Sequence, residues 1–192
     1  MSLFSISEIN KNNTADEINK SASLEFPYKG SFVNGRSKKE LEISINQLKK
    51  GFCKFFRTDG AWSNIEILEY LLKQTGEANV YLCTWSISEE AIRRFNVWKE
   101  TGQIKNLYTI IDNGLRNRKP EIYQSAVAMF ENLKFTALHA KITIIENDTH
   151  KITLLTSANY TRNPRTEVGI IIWDDELANE NIKWIKEAIN AN

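Results

Sequence analysis

A chain of 192 residues with 25 Lys and Arg against 24 Asp and Glu has almost no net charge, so any anion site must come from local clustering. Its 42% apolar and 26% charged residues are those of a globular protein, which excludes a wholly disordered chain, and the length suits one self-sufficient domain with a modest N-terminal extension. Residues 1–10 lack a basic start followed by an apolar stretch, and the apolar runs at 126–130 and 170–173 are far too short to span a bilayer. Neither a signal peptide nor a membrane anchor is therefore expected. The two cysteines, Cys53 and Cys83, form no CxxC pair and no metal set, and read as buried, reduced thiols of a cytoplasmic protein.

Residues 1–36 are rich in Asn, Ser and Lys without clear periodicity. They predict a poorly ordered arm, with turn signals at Phe26-Pro27-Tyr28 and Asn34-Gly35, ahead of a folded domain over 37–192. Over 37–50, Leu41, Ile43, Ile45 and Leu48 fit either period. Ser37 three residues before Glu40 suggests a capped helix, with Lys38, Lys39, Lys49 and Lys50 on a solvated face. Ile65, Leu68, Leu71 and Leu72 have helical spacing over 64–73, with a stop near Gly76. The run at 79–85 predicts a strand, and Ser88 then caps a helix to about Lys99 that stops at Gly102. A strand follows at 105–111. The basic stretch 113–119, with Arg116, Arg118 and Lys119, reads as a solvated loop. Pro120 opens a helix through Asn132, and 133–138 leads into a further strand. Residues 139–146 and 151–156 read as strands joined by a polar turn that holds a solvated His150. A strand at 167–173 and an amphipathic helix from Asp175 or Glu176 end the chain. Trp62, Trp85, Trp98, Trp173 and Trp184 read as core or interface packing. This alternation predicts an α/β fold with a mixed β-sheet flanked by helices, without an internal repeat.

The stretch that carries chemistry is 138–172. On a strand, residues two apart face the same side, so His139 and Lys141 project together, as do Ser157 and Asn159. If the two strands pair across their short turn, four phosphate-competent groups converge. A neutral imidazole can attack phosphorus, and a fixed cation with amide and hydroxyl donors can stabilise the charge that develops on the phosphoryl oxygens. A carboxylate on the far ring nitrogen would fix the tautomer, and Glu167 is the candidate for it.

The ordered set His139-x-Lys141, a short strand, Ser157-x-Asn159, then Thr161, Asn163 and Glu167 resembles the phospholipase D superfamily. That motif reads His-x-Lys, four residues, Asp, six residues, Gly-Ser-x-Asn. A weaker likeness extends upstream to the strand and helix within 80–99, so the resemblance covers roughly residues 60–173. The chain departs from the pattern in three ways. Glu146 stands where the family has Asp, nine residues separate it from Thr156, and Thr156 replaces the glycine before Ser157. A Cβ at that turn is expected to crowd a phosphate.

The resemblance implies a phospholipase D-like α/β/α sandwich and a phosphodiester hydrolase that needs no metal or cofactor. His139, Lys141, Ser157, Asn159 and Glu167 would be catalytic, and Glu146 structural. One histidine forms a phosphohistidine while a second serves the leaving group. A chain with one motif therefore implies a homodimer. Arg162 and Arg165 flank the motif and favour a polyanion, hence a nuclease-like activity on nucleic acid without stable membrane association. A phospholipid or headgroup phosphodiesterase, and a non-catalytic nucleic-acid-binding module with a degenerate site, are the alternatives.

Overall fold

The structure, a computed structural model, describes residues 29–36, 40–162 and 164–191. Among the described residues fourteen elements form around one eight-stranded sheet. In chain order these are β1 (Lys29–Gly35), α1 (Leu41–Ile45), β2 (Phe52–Asp59), α2 (Asn64–Thr75), β3 (Ala78–Thr84), α3 (Glu89–Glu100) and β4 (Ile104–Asp112). They continue with α4 (Leu115–Arg118), α5 (Pro120–Met129), β5 (Asn132–Thr136), β6 (Ile142–Glu146), β7 (Lys151–Thr156), β8 (Thr166–Trp173) and α6 (Asp175–Asn190). The strand order is β1-β2-β8-β7-β6-β3-β4-β5. The pairs β1/β2, β3/β4 and β4/β5 are parallel, and the other four are antiparallel.

Local chemistry explains most of these boundaries. Ser63 accepts from the Glu66 amide while Glu66 reaches back to Ser63 N, a capping box that starts α2. Ser88 caps α3 through the Ala91 amide, and Asp174 caps α6 through Leu177 N. Along β3 every residue but Asn79 is buried, as a central strand covered on both faces requires. Val80 and Leu82 face a large core shared with α1, α2, α3 and α5, whereas Tyr81 and Cys83 face Ala178, Ile182 and Ile185 of α6. The result is the expected α/β/α sandwich.

Several expectations need correcting. The last part of the expected arm is strand β1, where Asn34 and Gly35 pair with Arg57 and Thr58 instead of turning. Phe26-Pro27-Tyr28 and Ser37 to Lys39 lie outside the described residues. The helix expected over 37–50 is only the short α1, because Asn46 adopts a left-handed φ of 51° and ends it. Strand β2 was not anticipated. The 113–119 loop contains the helical turn α4, Cys53 is half-buried rather than buried, and His150 is half-buried against Trp173 at 4.5 Å.

Helix α6 covers only part of its face of the sheet. In register across β1, β2, β8 and β7 run Phe32, Phe55, Ile170 and Leu155. Phe32 and Phe55 stack at 5.6 Å, and Phe32, Phe55 and Leu155 are 59%, 41% and 47% exposed. On the other face, Gly169 of β8 lies buried against the Phe56 ring and the Leu155 carbonyl, where a Cβ has no room. Phe56 is fixed in the core, so Gly169→Ala is expected to destabilise the fold by ~1–3 kcal/mol through overpacking, read as a lower denaturation midpoint at unchanged m-value.

Candidate active site

One edge of the sheet collects the carboxyl ends of β2, β3, β4 and β7 and the starts of β6 and β8, the position where open α/β sheets bind ligands. Four loops meet there, carrying His139 and Lys141, Ser157 to Tyr160, Trp85, and Asp112 to Arg118.

His139 and Lys141 do project to one side, although not from within a strand. Regular β6 pairing begins at Ile142, and residues 138–141 form an irregular approach to it. The link to β7 persists one step further, with Thr156 N donating to the Lys141 carbonyl at 3.1 Å. Lys141 is 8% exposed, whereas His139 is exposed. The Lys141 Nζ donates to the His139 carbonyl at 2.7 Å and lies 3.1 and 3.3 Å from the two ring nitrogens. Burial lowers the Lys141 ammonium below its ordinary value, and the Glu167 carboxylate opposes that shift.

Glu167, at the start of β8, accepts a hydrogen bond from Ser157 Oγ. Among the described residues no hydrogen bond joins Glu167 to His139. The hydroxyl of Ser157 also accepts from Val168 N at 3.0 Å, and Ser157 N donates to the Val168 carbonyl at 2.9 Å. Asn159 is half-buried, its Oδ1 accepting from Thr84 Oγ1 at 3.4 Å. The structure thus joins His139 to Lys141, and Ser157 to Glu167, with Glu167 acting on Lys141 through its charge.

Thr156 takes a direction that its position in the motif does not reveal. Its side chain turns into the fold, where Oγ1 accepts from Ala158 N at 2.9 Å and from Asn64 Nδ2 at 3.1 Å. Asn64 also donates to the Ala158 carbonyl at 2.7 Å, so the first residue of α2 clamps the turn from behind. A threonine can make this turn-closing bond and glycine cannot. Tyr160 secures the far end of the loop. Its amide donates to Ser86 O, its carbonyl accepts from Ser88 N, and its buried hydroxyl lies 2.6 Å from Thr143 Oγ1.

The remaining expected residues are dispersed. Glu146 sits at the opposite end of β6 from His139 and accepts from Asn79 Nδ2 at 2.8 Å, while Asn79 Oδ1 accepts from Asn106. Arg162 and Arg165 are exposed, and Arg162 Nε stands 3.9 Å from a Glu90 carboxylate oxygen. Asn163 lies outside the described residues. A cleft of about 370 Å³ between the starts of α2 and α3 includes Arg162, Asn64 and Tyr160, but neither His139 nor Lys141. Among the described residues no three His, Cys, Asp or Glu side chains gather where they could hold a metal ion, and no helix is long and apolar enough to cross a membrane.

The sequence reading missed a group beside the histidine. Trp85, directly after β3, is half-buried with its ring 5.9 Å from the His139 ring. The Arg118 guanidinium lies 4.0 Å over the Trp85 ring and donates to the Trp85 carbonyl and to Asp112. Asp112 and Arg118 share one short stretch, but nothing local in the sequence connects them to Trp85 or His139. Only the neighbouring ends of β3 and β4 bring them together.

No protein-family model matches this sequence, and no curated protein does. Among solved structures, Nuc from Salmonella typhimurium, a phospholipase D family member, aligns with a TM-score of 0.54 at 15% identity, covering 72% of this chain and 93% of that one. Phosphatidylserine synthase from Haemophilus influenzae Rd KW20 aligns at 0.49 and 15% identity, over 71% of this chain and 38% of that one. The archaeal chromatin protein TrmBL2 aligns at 0.47 and 11% identity, over 74% and 53%. At 15% identity the first likeness is one of fold, and it shows a phospholipase D-type architecture. The other two add nothing to that.

The opposing influences on Lys141 have a measurable consequence. Its ammonium is expected to titrate below an ordinary lysine by heteronuclear NMR, and Glu167→Gln should lower it further, because the carboxylate that favours the charged form is gone. An upward move in Glu167→Gln would contradict the arrangement.

Proposed function

We propose that this chain is a phosphodiesterase of phospholipase D type that cleaves nucleic acid without a metal, through a phosphohistidine at His139, as a homodimer. The observation that carries the reading is the meeting of His139, Lys141, Ser157 and Glu167 at one sheet edge in a fold of this type. In the first step a neutral His139 nitrogen attacks phosphorus. The P–N bond forms, the P–O bond to the leaving group breaks, and the departing oxygen takes a proton from the second copy's His139. That imidazole, now neutral, deprotonates water. The water oxygen attacks phosphorus, the P–N bond breaks, and the first histidine is regenerated. The Lys141 ammonium and the Asn159 amide are suited to the phosphoryl oxygens as negative charge develops there. Glu167 fixes Ser157 and supports the charge on Lys141, and Glu146, remote from the reaction, holds the far end of β6.

Nucleic acid is favoured because exposed Arg162 and Arg165 follow the motif directly and suit a repeating phosphate backbone. The second copy is supported by chemistry and by surface. One reaction centre needs two histidines, and the other one, His150, is half-buried at the opposite end of β7. The exposed row Phe32, Phe55 and Leu155 runs up to the strand end that leads into Ser157, and gives a twofold contact apolar area beside the site. Cytoplasmic residence with both thiols reduced belongs to the same reading.

Pure protein is expected to hydrolyse DNA or RNA in EDTA, and His139→Ala to lose at least ~10³-fold in turnover while still binding the polymer. Activity that vanishes with EDTA and returns with magnesium would overturn the mechanism. Salt-dependent binding with no turnover on any diester would make the chain a binding module, and hydrolysis of phospholipid in preference to nucleic acid would move the substrate to lipid.

Subunit mixing tests the dimer. If His139→Ala chains exchange with wild type, only dimers with two intact histidines turn over. An equal mixture should then keep about a quarter of the wild-type rate, by isologous-dimer statistics. Retention of half, with exchange verified by mass, would mean that each chain holds a complete site.

A further inference from the structure

Resting on the reading of His139 as the nucleophile, we infer that Asp112, Arg118 and Trp85 are positioning residues that set the His139 ring from the side opposite the motif. The need for such a device is visible in the hydrogen bonds. Glu167 is engaged with Ser157, and the Lys141 ammonium approaches both ring nitrogens without selecting one orientation. A nucleophilic imidazole on an exposed loop still requires a fixed ring, because misplacement by an ångström costs orders of magnitude in rate.

The three residues form a stack built outward from the sheet. Asp112, the last residue of β4, is 9% exposed, and its Oδ2 accepts from Leu138 N, the amide next to His139, at 3.3 Å. Its Oδ1 accepts from Gly114 N at 3.1 Å and pairs with Arg118 Nη1 at 2.8 Å. Burial works to raise the Asp112 carboxyl, but the Arg118 hydrogen bond, the Leu138 amide, the Arg118 charge and the Gly114 amide together hold it below its usual range. It is therefore a carboxylate that anchors both the His139 loop and the guanidinium. Arg118 Nη2 donates to the Trp85 carbonyl at 3.1 Å while the guanidinium carbon lies 4.0 Å over the Trp85 ring centroid. Trp85 then presents its ring to His139 at 5.9 Å and an interplanar angle of 57°, within the range of aromatic pairs. Gly114 is a condition of the stack, since a Cβ there would run into the Arg118 guanidinium and the Asp112 carboxylate. The fork of an arginine is required, because Nη1 and Nη2 bond Asp112 and the Trp85 carbonyl separately while the guanidinium carbon stays over the indole, which a single ammonium nitrogen cannot reproduce.

The test reads ring position and turnover separately, so it stands even if the chain cleaves no diester. In wild-type protein the carbon-bound ring protons of His139 should be displaced by the Trp85 ring current. Arg118→Ala should move them towards their positions in Trp85→Ala, with Trp85→Phe as the variant that keeps a ring and the fold. In turnover on an oligonucleotide, Arg118→Ala should lower kcat about 10- to 100-fold with little change in KM, and Arg118→Lys should remain impaired. Unchanged His139 resonances in Arg118→Ala or in Trp85→Ala would overturn the inference. So would a pure rise in KM that Arg118→Lys restores, which would make Arg118 a direct phosphate ligand.

Discussion

The site depends on the pairing of β6 with β7. Their antiparallel register sets Ile142 opposite Leu155, and the ladder's last bond, from Thr156 N to the Lys141 carbonyl, places Lys141 at the shoulder of the Ser157 loop. A slip of one residue would send Lys141 to the opposite face and separate it from Glu167, because strand side chains alternate with period two. The neighbours of this hairpin matter equally. Since β8 pairs with β7 and β3 with β6, the hairpin lies between the strands that carry Glu167 and those that lead into Trp85. Residues far apart in the chain reach one edge through the backbone ladders, and side-chain bonds such as Asn64 to Ala158 O then fix the loops there.

How much was legible beforehand follows from the range of the forces involved. Helix starts at Ser88 and Pro120, the 79–85 strand and the 147–150 turn are written in neighbouring residues, and they were readable. Strand β1 was not, because its pairing is parallel and all of its register comes from β2. Strand β2 carried a usable signal that the expectations passed over: buried Phe56 and Thr58 alternate with outward Phe55 and Arg57, and Gly51 and Asp59-Gly60 mark turns on its two sides. The common projection of His139 and Lys141 was expected from strand spacing, but the structure reaches it through an irregular approach to Ile142 that spacing does not foretell. The turn direction of Thr156 depends on Asn64, and the wall beside His139 depends on two parallel strands ending together. Neither is a property of any local window of sequence.

The less exposed cations of the site each have an acidic partner. Lys141 is offset by Glu167 and Arg118 by Asp112, whereas exposed Arg162 stands only loosely against Glu90. Partly buried ions of one sign would be costly to collect in one place, and pairing each with a partner removes that cost while keeping the cations oriented. With the whole chain at net charge +1, attraction for a polyanion falls to the exposed guanidiniums of Arg162 and Arg165 beside these pairs.

The Asn64 clamp has a consequence for motion. Asn64 is 3% exposed and begins a helix whose Ile67, Leu68, Leu71 and Leu72 are sealed in the main core. Through its bonds to Thr156 and Ala158, the site loop is fastened to one of the most deeply packed segments of the molecule. Loops in general open at little cost, but this one cannot leave without exposing a buried amide that has lost its partners. Its backbone amides should therefore exchange with solvent on the slow timescale of α2 rather than on that of the surface, so that the loop unfolds with the body of the domain.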